Sequence, residues 1–108
     1  MPSKIVLAHL FGAVSVVLAR TSFHKEQCCL WSDSLQRWFG LPSATEQACN
    51  FIDHSNYESD DEGWCHAKGG YGIVDECFSC LCWNGANAHS CGGGGKWGGA
   101  TTQCGHGC

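Results

Sequence analysis

The ten cysteines of this 108-residue chain are the residues best suited to chemistry, because they can form disulfides or bind a metal. Cys77, Cys80 and Cys82 stand close together, His89 follows, and the sequence ends CGHGC. Thiolate and imidazole groups at such spacings can hold zinc in a tetrahedral site. In an oxidising compartment the same thiols pair as disulfides instead. The choice between zinc and disulfides therefore depends on the compartment.

The N-terminal residues predict secretion. Lys4 gives a short positive start, and an apolar run follows from Ile5 to Leu18. Small or apolar residues then occupy the −3 and −1 positions of a cleavage site before Arg20, which is the layout of a secretory signal peptide. The apolar run is shorter than the roughly 18 residues of a membrane span. We therefore predict a signal peptide over residues 1–19, with a buried N-terminal helix as the alternative, and one secreted, extracellular domain over residues 20–108 with no membrane insertion.

An even number of cysteines behind a signal peptide predicts about five disulfides and no free thiol. The domain has few aliphatic side chains and many glycines, so it can bury little apolar area. Each bridge contributes about 2–4 kcal/mol and could supply much of the stability. We expect neither a metal nor a cofactor. The predicted disulfide residues are Cys28, Cys29, Cys49, Cys65, Cys77, Cys80, Cys82, Cys91, Cys104 and Cys108.

Charge and motifs argue against several functions. The formal net charge is −4, and no basic cluster is present. Binding to nucleic acid or to anionic membranes needs such a cluster, so neither partner is predicted. Asp53-His54-Ser55 contains the residue types of a catalytic triad, but adjacent residues point in different directions. Gly92 to Lys96 lacks the spacing of a phosphate-binding loop. The sequence therefore predicts no enzymatic activity.

The first half of the domain predicts a short helical hairpin. Trp31, Leu35, Trp38 and Phe39 are spaced like one face of a helix. Ser43 to Glu46 then has the pattern of a capping box, which predicts the start of a second helix.

The second half predicts a β-hairpin, which makes the whole a small disulfide-rich α+β fold. Residues 73–83 can form a strand, Asn84-Gly85 is a strong signal for a two-residue turn, and residues 86–91 would be the return strand. The glycine-rich stretch 92–99 predicts a flexible loop, and the last two cysteines would fix the C-terminus to the body.

Two loops are the predicted contact regions, because binding residues often lie on loops held by a rigid scaffold. The loop over residues 55–63 is acidic, and the loop over residues 92–99 presents a tryptophan and a lysine among glycines. The predicted binding residues are Asp60, Asp61, Glu62, Lys96 and Trp97.

Two resemblances bear on function. Residues 72–77, GIVDEC, resemble the start of an insulin-family A chain, although the family's next cysteine would fall at Phe78. At the level of organisation, the signal peptide, the short chain, the ten cysteines and the many aromatic residues resemble fungal small secreted cysteine-rich proteins. Many proteins of that kind act as effectors in a plant host.

The second resemblance implies a secreted, monomeric, non-enzymatic effector. Its target would be a host protein, another extracellular protein or a component of the cell wall such as a polysaccharide. One alternative is a toxin or antimicrobial peptide. Another is a carbohydrate-binding module that stacks exposed tryptophans on chitin or a related polymer.

Overall fold

A computed structural model of the protein describes residues 21–53 and 56–101. The predicted signal peptide and the last two cysteines, Cys104 and Cys108, lie outside these residues. Eight elements follow one another along the described chain. They are β1 (Ser22–Ser32), β2 (Arg37–Gly40), α1 (Pro42–Asp53), β3 (Tyr57–Ser59), β4 (Cys65–Ala67), β5 (Ile73–Val74), α2 (Asp75–Ala86) and β6 (His89–Lys96).

Strand β1 is the centre of an antiparallel sheet, and the predicted α+β class is confirmed. Along one edge, residues 23–29 of β1 pair with β6. Along the other edge, β1 pairs in succession with β5, β4 and β2. Strand β3 adds to the outer side of β4. The long strand β1 therefore contacts four of the other strands directly.

The two helices pack on one face of this sheet, and the core lies between them and β1. Helix α1 begins at Pro42, whose fixed φ and missing N–H suit the first helical position. The buried hydroxyl of Thr45 donates to the carbonyl of Leu41 at 2.8 Å and accepts from the backbone N–H of Cys28 at 2.9 Å, which ties α1 to β1. The buried core residues are Cys28, Ala48, Cys49, Tyr57, Cys65, Ile73, Phe78, Cys82 and Ala88.

Three disulfides join these elements across long stretches of sequence. Cys28 pairs with Cys82, Cys29 with Cys91, and Cys49 with Cys65. The other two cysteines of the described chain are also disulfide-bonded. Consequently the zinc ligands considered from the sequence, Cys77, Cys80 and Cys82, have no thiolate to offer.

The predicted helical hairpin is wrong in its first half. Trp31 lies at the end of β1 and pairs directly with Trp38 of β2 across a turn over residues 33–36. Gln36 has a φ of 53°, which belongs to a turn and not to a right-handed helix. The spacing of the aromatic residues fits a helix, but it also fits two strands that pair around a four-residue turn. The second predicted helix is present as α1, and it begins at Pro42, so that Ser43 lies inside the first turn.

The predicted strand over residues 73–83 and its Asn84-Gly85 turn are also wrong. Only Ile73–Val74 forms a strand, and α2 runs through Asn84 and Gly85. Two acidic residues lie in its first turn, where their negative charge interacts favourably with the positive end of the helix dipole and stabilises the helix. Asn87, with a φ of 52°, ends the helix, and its N–H donates to the carbonyl of Trp83 at 2.9 Å.

The glycine-rich stretch forms strand and not the predicted loop as far as Lys96. A Cβ atom on Gly92 would overlap the ring of Phe23, and one on Gly93 would lie 2.8 Å from the ring of Trp64. These glycines therefore let neighbouring aromatic rings lie directly on the backbone of β6, a contact that compensates for the poor strand propensity of glycine.

Replacing Gly85 by Ala tests whether this segment is helical. In α2 the alanine gains helix propensity and meets no heavy atom within 4 Å, so we expect urea unfolding of the oxidised protein to show a gain of about 0.5–1 kcal/mol. In the two-residue turn suggested by the sequence, the same change would destabilise the protein because glycine would need a positive φ. Gly92→Ala is the matched control and should lower stability, since its Cβ would displace Phe23.

Candidate functional site: an exposed aromatic cluster

The most exposed concentration of apolar side chains lies around the β1–β2 hairpin. Trp31 and Trp38 are 43% and 48% exposed, Phe39 is 40% exposed, and Leu35 at the tip of the turn is 61% exposed. Large exposed apolar patches on a small protein mark interaction surfaces more often than chance. The structure thus places on the surface the aromatic residues that the helical pattern would have buried.

Four aromatic side chains form a continuous chain of ring contacts, here called the aromatic cluster: Trp31, Trp38, His89 and Trp83. The rings of Trp31 and Trp38 have centroids 5.5 Å apart and planes at 66°. The ring of Trp38 is 5.5 Å from that of His89 at 81°. The ring of His89 is 6.3 Å from that of Trp83 at 49°. The first two contacts are edge-to-face, a favourable arrangement for aromatic pairs, and the third is tilted.

The fold explains why these residues meet. Cys29 pairs with Gly40 on one side and with His89 on the other, so these three residues lie abreast in the sheet. Trp31 and Trp38 lie two residues further along and therefore point to the same face. Trp83, which is 55% exposed, lies in the last turn of α2, just before the chain enters β6 with His89.

Hydrogen bonds hold the hairpin that carries the cluster. The indole N–H of Trp31 donates to a carboxylate oxygen of Asp33 at 2.8 Å. The side-chain amide of Gln36 donates to the carbonyl of Asp33 at 2.7 Å, and the N–H of Leu35 donates to the hydroxyl of Ser32 at 3.2 Å. The tryptophans are therefore presented on an ordered turn.

Chemically, the cluster offers aromatic faces and edges and one imidazole group. Because neighbouring rings stand at steep angles, they form a ridged surface rather than a flat platform. Such a surface suits apolar or planar side chains, which can pack into the angles between rings.

The sequence predicted different binding residues, and Asp60 has a structural role. One carboxylate oxygen of Asp60 accepts from the N–H groups of Trp64 at 3.0 Å and Glu62 at 2.9 Å, while the other lies 3.6 Å from Nε2 of His66. The hydrogen bond from Trp64 is the main cause that lowers the pKa of Asp60. Asp60 thus closes the β3–β4 turn, and its neighbours Asp61 and Glu62 are exposed there.

Trp97 and Lys96 are placed at the end of β6. The indole N–H of Trp97 donates to the carbonyl of Ala100 at 2.8 Å, and its ring lies edge-on to His24 with centroids 5.0 Å apart. The ring also covers Gly72, where a Cβ would overlap it. Trp97 is half-buried in these contacts, whereas Lys96 is exposed. Trp97 therefore covers the backbone at Gly72, whereas the sequence left open whether it packs on the body or projects from the loop.

Residues of the aromatic cluster were missed because the helical spacing favoured burial. A usable signal was present, since Asp33-Ser34-Leu35-Gln36 contains turn formers between two tryptophans at equal distance from its centre. An aromatic pair placed symmetrically about such a turn is the pattern of a cross-strand contact.

Among residues 21–53 and 56–101, no three potential His, Cys, Asp or Glu ligands come together to hold a metal. Neither α1 nor α2 is long and apolar enough to cross a bilayer.

Comparison with known proteins gives no relative: no protein-family model, curated protein or solved structure matches this chain. The interpretation of the aromatic cluster therefore rests on its own geometry.

A buried carboxyl group lies on the helix-covered face of β1. Glu26 is fully buried, and neither of its carboxyl oxygens has a hydrogen-bond partner of ordinary geometry in the described chain. Burial, together with the nearby carboxyl group of Asp75 at the start of α2, raises the pKa of Glu26 to about 10. Asp75 itself accepts a hydrogen bond from the hydroxyl of Ser90 at 2.9 Å. Glu26 is thus protonated in the folded protein at neutral pH.

The raised pKa of Glu26 predicts a pH dependence of stability. The unfolded chain loses this proton near the ordinary pKa of a glutamate, while the folded protein keeps it to about pH 10. The folded state is therefore increasingly penalised as pH rises above about 4.5. Glu26→Gln keeps the shape and removes the ionisation, so its melting temperature should exceed that of the wild type by a margin that grows from pH 5 to pH 8. Glu46→Gln, at an exposed position, is the control, and a constant margin for Glu26→Gln would contradict the assignment.

Proposed function

We propose that this chain is a secreted, non-enzymatic effector that binds a host protein through the aromatic cluster. The observation that carries the proposal is the exposure of three tryptophans in one contact chain on a scaffold held by disulfides. Tryptophans are enriched among the residues that contribute most to protein–protein binding. Because these tryptophans are about half exposed, packing of the protein's own core does not account for their position, whereas binding to a partner does.

The scaffold supports the extracellular part of the proposal. Disulfides that join distant parts of the chain persist in oxidising compartments and are rare in reducing ones. The signal peptide and the bridges of Cys104 and Cys108 stay predictions, because these residues lie outside the described part of the chain. Binding as a monomer is proposed as well.

A polysaccharide of the cell wall is the second candidate target, and the exposed indole rings favour it. Sugar rings stack best on flat, open aromatic faces. The steep angles between neighbouring rings of the cluster favour protein side chains over a sugar chain, which sets the order of the two candidates.

Trp38→Ala tests the proposal. The residue lies on a short outer strand and is half-exposed, so we expect the oxidised protein to keep its fold, with a modest loss of stability from the broken Trp31 contact. Capture of targets from plant extracellular fluid, and sedimentation with insoluble chitin and other wall polysaccharides, should be compared for wild type and variant. The variant should bind the target about 30-fold more weakly, equivalent to roughly 2 kcal/mol.

Tyr71→Ala is the matched control, because Tyr71 is 41% exposed and outside the aromatic cluster. It should bind like the wild type. Equal loss in both variants, or no loss in either, would contradict the cluster as the binding site. Loss of chitin binding without any protein target would favour the second candidate.

A further inference from the structure

The outer edge of β2 is open in the described structure. Strand β2 pairs with β1 on one side, and within residues 21–53 and 56–101 no strand pairs with its other side. Arg37, Trp38 and Phe39 are all exposed there. An open strand edge presents backbone groups that can bind another extended chain.

The hydrogen-bond pattern shows which backbone groups face outward. The N–H of Leu41 donates to the carbonyl of Cys28 at 2.8 Å, one step beyond the pair formed by Gly40 and Cys29. Hydrogen-bonded and non-hydrogen-bonded pairs alternate along an antiparallel ladder. Phe39 therefore bonds inward to β1. Trp38 and Gly40 direct their N–H and C=O groups to the open edge.

The side chains beside this edge are aromatic on both faces of the sheet. Trp38 belongs to the aromatic cluster on one face, and Phe39, the next residue, lies on the other. A chain laid along β2 would place successive side chains alternately against Trp38 and against Phe39. The charged side chain of this strand, Arg37, lies at its start, and no charged residue or proline interrupts Trp38 to Gly40.

We propose that the outer edge of β2 binds an extended segment of a partner protein by strand addition. The segment hydrogen-bonds to the backbone of Trp38 and Gly40, and it packs alternate apolar side chains on the aromatic cluster and on Phe39. The proposal rests on the proposed function and specifies how the cluster takes its target. Main-chain bonds supply affinity in this mode of recognition, and the flanking side chains supply specificity.

Length and charge define the segment. Strand β2 has four residues and is about 13 Å long, so an extended segment of roughly five or six residues covers it. The chain carries a net charge of −4, which favours a neutral or basic segment over an acidic one.

A second copy of the chain fits this edge less well. Two copies that met only along four-residue strands would bury far less than the roughly 1,200–2,000 Å² of a stable interface. Both copies would also carry the same negative net charge. A single flexible segment can follow the strand and wrap both faces, which two rigid scaffolds cannot do.

A random linear dodecapeptide library displayed on phage is the probe. The oxidised protein serves as bait, and Trp38→Ala is used to remove peptides that bind elsewhere. We expect enriched peptides to alternate apolar and polar residues and to carry no net negative charge. At saturating peptide, the amide hydrogen-exchange rates of Trp38 and Gly40, measured by NMR, should fall at least tenfold. The amides of Arg37 and Phe39, already bonded to β1, should change much less.

N-methylation of the enriched peptide tests the backbone contacts without altering the protein. Methyl groups on alternate amides that face β2 should weaken binding at least tenfold, while methyl groups on the intervening amides should be tolerated. Tolerance at every amide, with Trp38 and Gly40 exchanging as before, would overturn strand addition and leave the cluster as a binding site.

If no peptide remains after removal of those that bind Trp38→Ala, both this inference and the proposed function fail. If the free protein sediments as a dimer with both amides already protected, the edge is occupied by a second copy, and the assignment to a partner segment is overturned.

Discussion

The adjacent cysteines of β1 set the constraint on which the rest of the structure depends. Successive residues of a strand point to opposite faces, so the disulfides of Cys28 and Cys29 lie on opposite faces of the sheet. Cys28 is bonded to Cys82 of α2, and Cys29 to Cys91 of β6. One bridge thereby holds a helix on one face, and the other ties two neighbouring strands on the opposite face. Sequence separations of 54 and 62 residues make each bridge worth about 4 kcal/mol in the chain-entropy description.

The surface follows from this division. Both helices pack on the Cys28 side. The residues that extend the Cys29 face beyond Cys29 are aromatic, and Trp83 reaches them from the last turn of α2. The covered side also encloses the protonated carboxyl group of Glu26, whose burial without an ordinary hydrogen bond costs free energy of folding. Strong covalent cross-linking lets the chain tolerate both an exposed aromatic cluster and a buried acid.

Composition and local patterns predicted part of this arrangement. The cysteine count anticipated the bridged scaffold, and the pattern after Gly40 anticipated α1 to within a residue.

The predictions that failed did so for physical reasons. Trp31 and Trp38 fit a helical face and a strand pair equally well, and only the pairing of β1 with β2 places their segment in the sheet. Asn84-Gly85 is a good turn signal, but helix α2, with its Asn87 terminus, overrides it. The glycines of β6 looked flexible because the rings of Phe23 and Trp64 that cover them come from distant sequence. The candidate site could not be placed for the same reason, since its four rings meet only through pairings between β1, β2, α2 and β6.

The assignment of the two adjacent bridges is the most direct test of this account. Partial reduction of the oxidised protein, followed by electron-transfer fragmentation of the bridged peptides, can separate the partner of Cys28 from that of Cys29. The account predicts Cys28 bonded to Cys82 and Cys29 bonded to Cys91. In the exchanged pairing Cys82 of α2 would be bonded to Cys29, on the face opposite to Cys28, which would contradict both the fold and the site built on it.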